Sequence, residues 1–411
     1  MKFVRMSLVI LYKSWRWLYN RSEGSSNSGH STLSLGLIRQ YQPITSLRCF
    51  VQGRNLPMTE DITVMTWNTN GEGGIAQSTI HDQINFLDRY HQDTDLFLLQ
   101  AVNYAKEGDE EPSHFQQLKD YFEDRDYHIA DTRDWAHQLL NLDVQPYHNI
   151  SGPFKRCKIT ASNWSIDRKP LDLRNEGNWK PEHLNYFYAS FLTGPFVSNV
   201  HHPAVETTDN EGLEVWNTGI IHGSGWKEEK IKALETVYGR IYLQNKQTNK
   251  KIILGGDFNA PWKETIAEEN GHKEVDIHPH SPDPKHLDKP FYGNPYRYQA
   301  GDEDTEEFPF SQRWRNAESY IFDSEKTDWD MKDVYWHADD SLKRDSTDDH
   351  THVVNNGNPP NKRLDHLLAD DHFNVKSCEI QNGIDVKANG FKNGATPSDH
   401  APIKARLQIE N

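Results

Sequence analysis

The chain has 411 residues, 45 Lys and Arg against 61 Asp and Glu, and 35% apolar residues, enough for one large or two ordinary domains with substantial cores. No stretch reaches the ~20 apolar residues needed to cross a bilayer. Cys49, Cys157 and Cys378 are odd in number and widely spaced, which excludes a disulfide framework and suits a reducing, cytoplasmic setting.

Residues 1–57 hold eight Lys or Arg and a single acid, Glu23, leaving 37 bases and 60 acids, a net −23, in residues 58–411. The apolar run Met6 to Tyr12 is closed at once by Lys13 and Arg16, and no small-residue cleavage site follows. Residues 22–34 are Ser-, Gly- and Asn-rich, as a linker would be. Two readings stand for 1–57: a basic arm with a targeting or binding role, or an extension upstream of a start at Met58. The reversal of charge at Met58 favours the second. The acidic body repels a polyanion at low ionic strength, which disfavours nonspecific DNA degradation, and its composition is halophile-like.

From Ile62 to Trp67 a β-prone run predicts a strand that ends on Asn68 and Asn70. Ile80, Ile84, Leu87 and Tyr90 recur at helical spacing, and Asp95 to Leu99 predicts a second strand ending at Gln100-Ala101. Residues 105–190 show no clear period. Leu213 to Ile221 predicts a strand presenting His222, and an amphipathic helix follows over 227–244. Lys251 to Leu254 predicts a short buried strand that delivers Asp257 and Asn259. Around 261–329 a Pro-, His- and acid-rich stretch reads as a loop-rich insertion, and Arg363 to Ala369 and Ala401 to Leu407 supply the last strands.

Four polar motifs adjoin these strands in order: Thr-Trp-Asn-Thr-Asn at 66–70, Gly-Gly-Asp-Phe-Asn at 255–259, Arg-Leu-Asp-His at 363–366 and Ser-Asp-His at 398–400. Asp257 and Asn259 lie one residue apart at a strand end, so both can point into one cleft; an Asx turn is the plainer reading of the same residues. Asp365 within an apolar strand needs a partner, because an unpaired buried carboxylate is costly. His201-His202, His278 to His280 and His350-Thr351-His352 invite a zinc reading, but their loop-like settings and spacing do not bring them together.

From about Asp61 to Leu407 these motifs resemble the endonuclease/exonuclease/phosphatase superfamily, the DNase I-like phosphoesterases. The resemblance implies a four-layer α/β sandwich, two packed mixed β-sheets flanked by helices, and a phosphoesterase dependent on Mg²⁺ or Mn²⁺. It casts Asp257 as the group that orients or deprotonates water, Asn259 and Asn68 as contacts to phosphate or that water, and His400 as the phosphate-contacting His oriented by Asp365. It places His222 as a second His able to protonate the leaving oxygen, and Asp399, with Asn68 and Asn70, as metal ligands. The substrate is a phosphodiester or phosphomonoester, with nucleic acid among the candidates. One position departs: the superfamily's Leu-Gln-Glu, whose Glu is the main metal ligand, reads Leu99-Gln100-Ala101 here. Ala101 stands as an engineered inactivation, a natural drift to a binding role, or a rearranged metal site in which Glu72 or Glu107 substitutes. The rival function is therefore a catalytically impaired phosphate-binding or interaction protein on the same fold.

Overall fold

A computed structural model describes residues 61–71, 76–104, 113–132, 156–169, 196–208, 210–220, 227–260, 263–268, 271–276, 317–318, 320–322, 329–338, 351–352, 363–381 and 397–410. The expected extension 1–57 lies outside the described residues, as do His222, Glu72 and Glu107.

In chain order the elements are β1 (Asp61–Asn68), α1 (Gln77–Asp88), β2 (Leu96–Val102), α2 (His114–Glu123), β3 (His128–Asp131), β4 (Cys157–Ser162), β5 (Ile166–Lys169) and β6 (Phe196–Val200). Then follow β7 (Glu211–Gly219), α3 (Lys227–Gln247), β8 (Asn249–Asp257), β9 (Lys263–Glu268), β10 (Gly271–Asp276), β11 (Met331–Asp333), α4 (Val334–His337), β12 (Asp365–Asp370), β13 (Phe373–Ile380) and β14 (Ile403–Ile409). They form two six-stranded sheets, ordered β13-β14-β1-β2-β4-β3 and β11-β12-β8-β7-β6-β5, and a separate β9-β10 hairpin.

Each large sheet has one parallel pair at its centre, β1 with β2 and β7 with β8, and antiparallel neighbours on both sides. A parallel pair needs a crossover, and α1 and α3 supply it. The sheets stack with β1 over β8 and β2 over β7. A pseudo-two-fold axis along the strands therefore exchanges β1 with β7 and β2 with β8, although no repeat is visible in the sequence.

Strand alternation builds the layers. Ile62, Val64, Leu96 and Leu98 of one sheet face Leu213, Val215, Ile253 and Leu367 of the other, forming the central core. The intervening Met65, Trp67, Phe97 and Leu99 turn outward onto Phe86 and Leu87 of α1 and Phe115 and Leu118 of α2. On the opposite flank Trp216, Ile252, Leu254 and Leu368 receive Ile231, Leu234, Val237 and Ile241 of α3. The result is the expected α/β sandwich of two mixed sheets with flanking helices.

Sheet spacing explains one glycine of the Gly-Gly-Asp motif. A Cβ on Gly255 would stand 2.8 Å from Leu98 Cδ1 and 3.2 Å from Thr66 Cβ, across the sandwich. Gly256 has φ +148°, and a Cβ there would lie 1.8 Å from the Thr218 carbonyl oxygen.

The structure adds elements that periodicity did not reveal. Within 105–190 it places α2, β3, β4 and β5, and α2 carried a readable signal: Ser113 caps it by accepting from the Gln116 N–H at 3.2 Å, with Phe115, Leu118 and Phe122 buried along one face. Between Leu368 and Ala401 it adds β13, beside β14. Inside the expected insertion 261–329 it places the β9-β10 hairpin, whose Lys-Glu-Thr-Ile-Ala-Glu and Gly-His-Lys-Glu-Val-Asp segments lack apolar alternation.

Candidate active site

The four polar motifs meet at the C-terminal ends of β1 and β8. Both strands end in the same device. The Asn70 N–H donates to Asn68 Oδ1 at 2.9 Å and the Asn259 N–H donates to Asp257 Oδ1 at 2.7 Å, each turn placing an Asn at φ 51°. The Asx turn and the placement of the side chain in the cleft are thus one structure: the turn occupies one side-chain atom and aims the other. Asn tolerates this left-handed backbone better than most residues do.

Asp257 is buried, and its Oδ2 accepts from Asn68 Nδ2 and from Asn259 Nδ2, both at 2.9 Å. Asn259 Nδ2 also donates to the Ile220 carbonyl at 2.8 Å, so Oδ1 is the atom of its amide left to accept from a water. Burial and the Asp365 carboxylate push the Asp257 carboxyl up to about 7, against the lowering pull of His400 and of the hydrogen bonds from Asn259 and Asn68.

His400 faces it. Its Nδ1 lies 2.7 Å from Asp365 Oδ2, and its Nε2 lies 3.5 Å from Asn68 Nδ2. Burial alone would lower this imidazole, but Asp365, Asp257 and Asp399 outweigh that and raise it to about 10. The backbone of His400 is also held: Trp67 Nε1 donates to the His400 carbonyl at 2.9 Å, and Ser398 Oγ accepts from the His400 N–H at 3.1 Å while donating to the Asn68 carbonyl at 2.7 Å.

Within the Arg-Leu-Asp-His motif, Asp365 and His366 open β12 on opposite faces, as alternation requires. Asp365 points to His400, whereas His366 turns to Asp333, where Arg363, just before the strand, joins it. Arg363 forms a two-pronged pair with both Asp333 oxygens, at 3.1 and 2.9 Å, and His366 Nδ1 lies 3.2 Å from Asp333 Oδ2. His366 Nε2 lies 2.8 Å from the Ala260 carbonyl, tying β12 to the chain just past Asn259.

A second support was not foreseen. Gln83 of α1 donates through Nε2 to the Thr69 and Pro397 carbonyls, at 2.8 and 2.5 Å, and its Oε1 lies 2.7 Å from His114 Nε2. The Asn103 N–H donates to His114 Nδ1 at 3.2 Å, so the ring is neutral with its proton on Nε2, and burial lowers its pKa to about 3. One buried amide thereby joins the two loops that carry Asn68 and His400. Gln83 interrupts an otherwise apolar helical face, which is the signal that could have found it.

The expected metal ligands are placed unevenly. Asp399 is half-buried beside His400, and its Oδ1 is shielded from solvent without a hydrogen-bond partner. Asn70 is exposed, and Asn68 turns Nδ2 rather than Oδ1 to the cleft. Ala101 sits in a β-bulge of β2 at φ 52°, buried, with its carbonyl accepting from the Gly71 N–H at 2.8 Å. Among the described residues, two sets of groups have ligand atoms all within 4.8 Å of one another: Asp257, Asp365 and His400, and His352, Asp399 and His400.

No protein-family profile matches the chain, and no curated protein matches it significantly. Among solved structures, an endonuclease/exonuclease/phosphatase from Bacteroides vulgatus is 13% identical, with 85% of this chain and 99% of that chain covered at a TM-score of 0.47. Truncated Caenorhabditis elegans TDP2 is 12% identical, covering 86% and 100% at 0.46. The 3′ phosphatase NExo from Neisseria, bound to a product DNA hairpin, is 13% identical, covering 84% and 98% at 0.43. In the order of its motifs and in its two-sheet architecture, this chain resembles the endonuclease/exonuclease/phosphatase superfamily.

Proposed function

We propose that the protein hydrolyses a phosphate ester by in-line attack of water. The observation that carries this reading is a buried carboxylate, Asp257, held by three hydrogen bonds opposite a buried Asp365–His400 pair. A carboxyl group raised toward neutrality can take a proton from water, and an imidazolium beside it stabilises charge on a phosphoryl oxygen.

In this reading the attacking water donates one hydrogen to Asp257 and the other to Asn259 Oδ1. Its oxygen forms the new bond to phosphorus as the bond to the leaving oxygen breaks, and the proton passes to Asp257. His400 Nε2 and Asn68 Nδ2 meet the phosphoryl oxygens. Asp365 holds the ring and balances its charge. The leaving oxygen takes its proton from solvent or from His222. A divalent cation fits at Asp399, whose shielded Oδ1 has no hydrogen-bond partner, and when bound it would supply further positive charge to the phosphoryl group. The ion that the superfamily resemblance implies there is Mg²⁺ or Mn²⁺.

The phosphoester is small or neutral-flanked, since a body of net −23 repels a long polyanion unless salt screens it. The impaired-site reading rests on Ala101, which brings no carboxylate to the bulge of β2. Turnover of a generic phosphodiester and a phosphomonoester by the full chain, with and without added Mg²⁺ or Mn²⁺, tests both. Activity abolished by D257N supports hydrolysis. No turnover under any condition, with phosphate still bound, leaves the binding protein.

A further inference from the structure

The departure at Ala101 has a counterpart beside His400. His352 Nε2 lies 3.9 Å from Asp399 Oδ2, His400 Nε2 lies 3.9 Å from Asp399 Oδ1, and the two imidazole centroids are 4.7 Å apart. We propose that His352, Asp399 and His400 form a binding site for a borderline transition-metal ion, Zn²⁺ in the first instance, in place of the all-oxygen Mg²⁺ site that the fold would otherwise carry.

The donor set is the first argument. Two imidazole nitrogens and one carboxylate suit Zn²⁺, Mn²⁺ or Co²⁺, whereas Mg²⁺ takes oxygen ligands almost exclusively. The spacing is the second: these atoms lie within 4.8 Å of one another, near the separations that ligands at about 2.0–2.2 Å from one tetrahedral centre take. The third is the shielded Asp399 Oδ1, a carboxylate oxygen without a hydrogen-bond partner.

His352 is also held in place. Thr351 is fully buried, and its Oγ1 accepts from the Leu364 and Asp365 N–H groups at 2.9 and 3.0 Å. Its carbonyl accepts from the Ala401 N–H at 2.7 Å, and His352 pairs with His400 as an isolated antiparallel bridge. The residue before the ligand is thus stitched to both strands of the site. His400 in turn presents Nδ1 to Asp365, the carboxylate–histidine arrangement that orients a metal-bound ring and leaves Nε2 for the ion.

The alternative group of Asp257, Asp365 and His400 is less suited. Both oxygens of Asp257 already accept from protein donors, and Asp365 occupies the opposite ring nitrogen of His400. With an ion bound, His400 Nε2 is a ligand and the ion carries the positive charge that the imidazolium carries otherwise. That role rests on the phosphoesterase reading; binding of the ion does not.

The test is calorimetric titration of the chelator-treated full chain with Zn²⁺ alone and with Mg²⁺ alone, together with the visible spectrum of the Co²⁺-loaded protein. The expected result is one equivalent of Zn²⁺ bound tightly and Mg²⁺ bound weakly, with H352A losing on the order of tenfold or more in Zn²⁺ affinity and its Co²⁺ bands shifted. H352Q and melts of both metal-free variants separate loss of a ligand from misfolding. D257N should keep the Zn²⁺ affinity while losing turnover, so the metal site and the hydrolytic reading fail separately. Absence of stoichiometric Zn²⁺ binding in the parent, or undiminished affinity in correctly folded H352A, overturns the proposal.

Discussion

The pseudo-two-fold axis sets two strand ends in equivalent backbone positions, and the protein fills them with opposite chemistry. At the ends of β1 and β8 stand the buried Asp257, Asp365 and His400. At the ends of β2 and β7 stand two neutral amides. Gln100 Nε2 donates to Asn217 Oδ1 at 2.8 Å, to the Leu98 carbonyl at 2.7 Å and to Thr66 Oγ1 at 3.1 Å. Asn217 Nδ2 donates to the Leu99 and Ile159 carbonyls at 3.1 and 3.0 Å. Both residues are buried and knit the two sheets together without a net charge. Neutral amides cost less to bury than charges, even with Gln100 Oε1 left without a hydrogen-bond partner, whereas a cluster of acids and a histidine is held only because each group compensates another. The fold offers two strand-end positions, and charge makes one of them a candidate for chemistry and the other a clasp.

The sharpest way to break this contrast is on the charged side. D257N should lower phosphoester turnover by roughly 10²–10⁴-fold, the usual worth of a positioned general base, in a single-turnover assay. An equal loss from replacing Gln100 instead would erase the distinction between the two ends.

Behind the charged end, D333N should destabilise the protein by about 3–5 kcal/mol at pH 7, because it leaves Arg363 buried without its carboxylate partner. Burial opposes the ionised Asp333, but the Arg363 guanidinium and His366 outweigh it and hold the carboxyl well below the usual range. A depressed folded pKa gives stability that is complete above the unfolded value, about 3.9, and lost as pH falls toward the folded one. Urea melts should therefore show the gap between parent and D333N narrowing as the pH drops below about 4. A gap that widens there would show that Asp333 is not the ionised partner.

On the clasp side, Q100A should cost about 1–3 kcal/mol by stranding Asn217 Oδ1 and Thr66 Oγ1, with turnover changed much less than stability. Thermal melts and a turnover assay on the same preparation make the comparison.

Ala101 follows Gln100 at the end of β2, on its bulge. Ala101→Glu should bring an oxygen ligand and tighten Mg²⁺ binding by on the order of tenfold, about 1.4 kcal/mol, in a calorimetric titration. Unchanged Mg²⁺ affinity would mean that the bulge does not present this side chain to the metal.

The smallest effect expected is that of salt. Raising KCl to molar concentration should raise the melting midpoint, because a body of net −23 repels itself until screened. The stability lost in Q100A, a neutral interaction, should not change with salt. A flat or falling midpoint for the parent would remove the halophile-like reading.

Residues next to a strand could be read directly. The alternation Ile62, Val64 against Met65, Trp67 is a local property, and so is the placement of Asp257 and Asn259 at a strand end; Asp365 in an apolar run announced its need of a partner. Local spacing therefore determined the central strands and the two crossover helices, while the pairing of Asp365 with His400 was an expectation of the superfamily resemblance. What it could not determine is how segments separated by long stretches of chain come together. His352 meets Asp399 and His400 only because Thr351 is hydrogen-bonded to β12 and to Ala401. Gln83 and His114 join two loops from two helices, and Gln100 reaches Asn217 across the sandwich. Side-chain hydrogen bonds of this kind carry no period along the chain. Burial of the two sheets against each other brings their partners within reach, so the tertiary structure alone decided which pair of strand ends holds charge and which imidazoles stand beside Asp399.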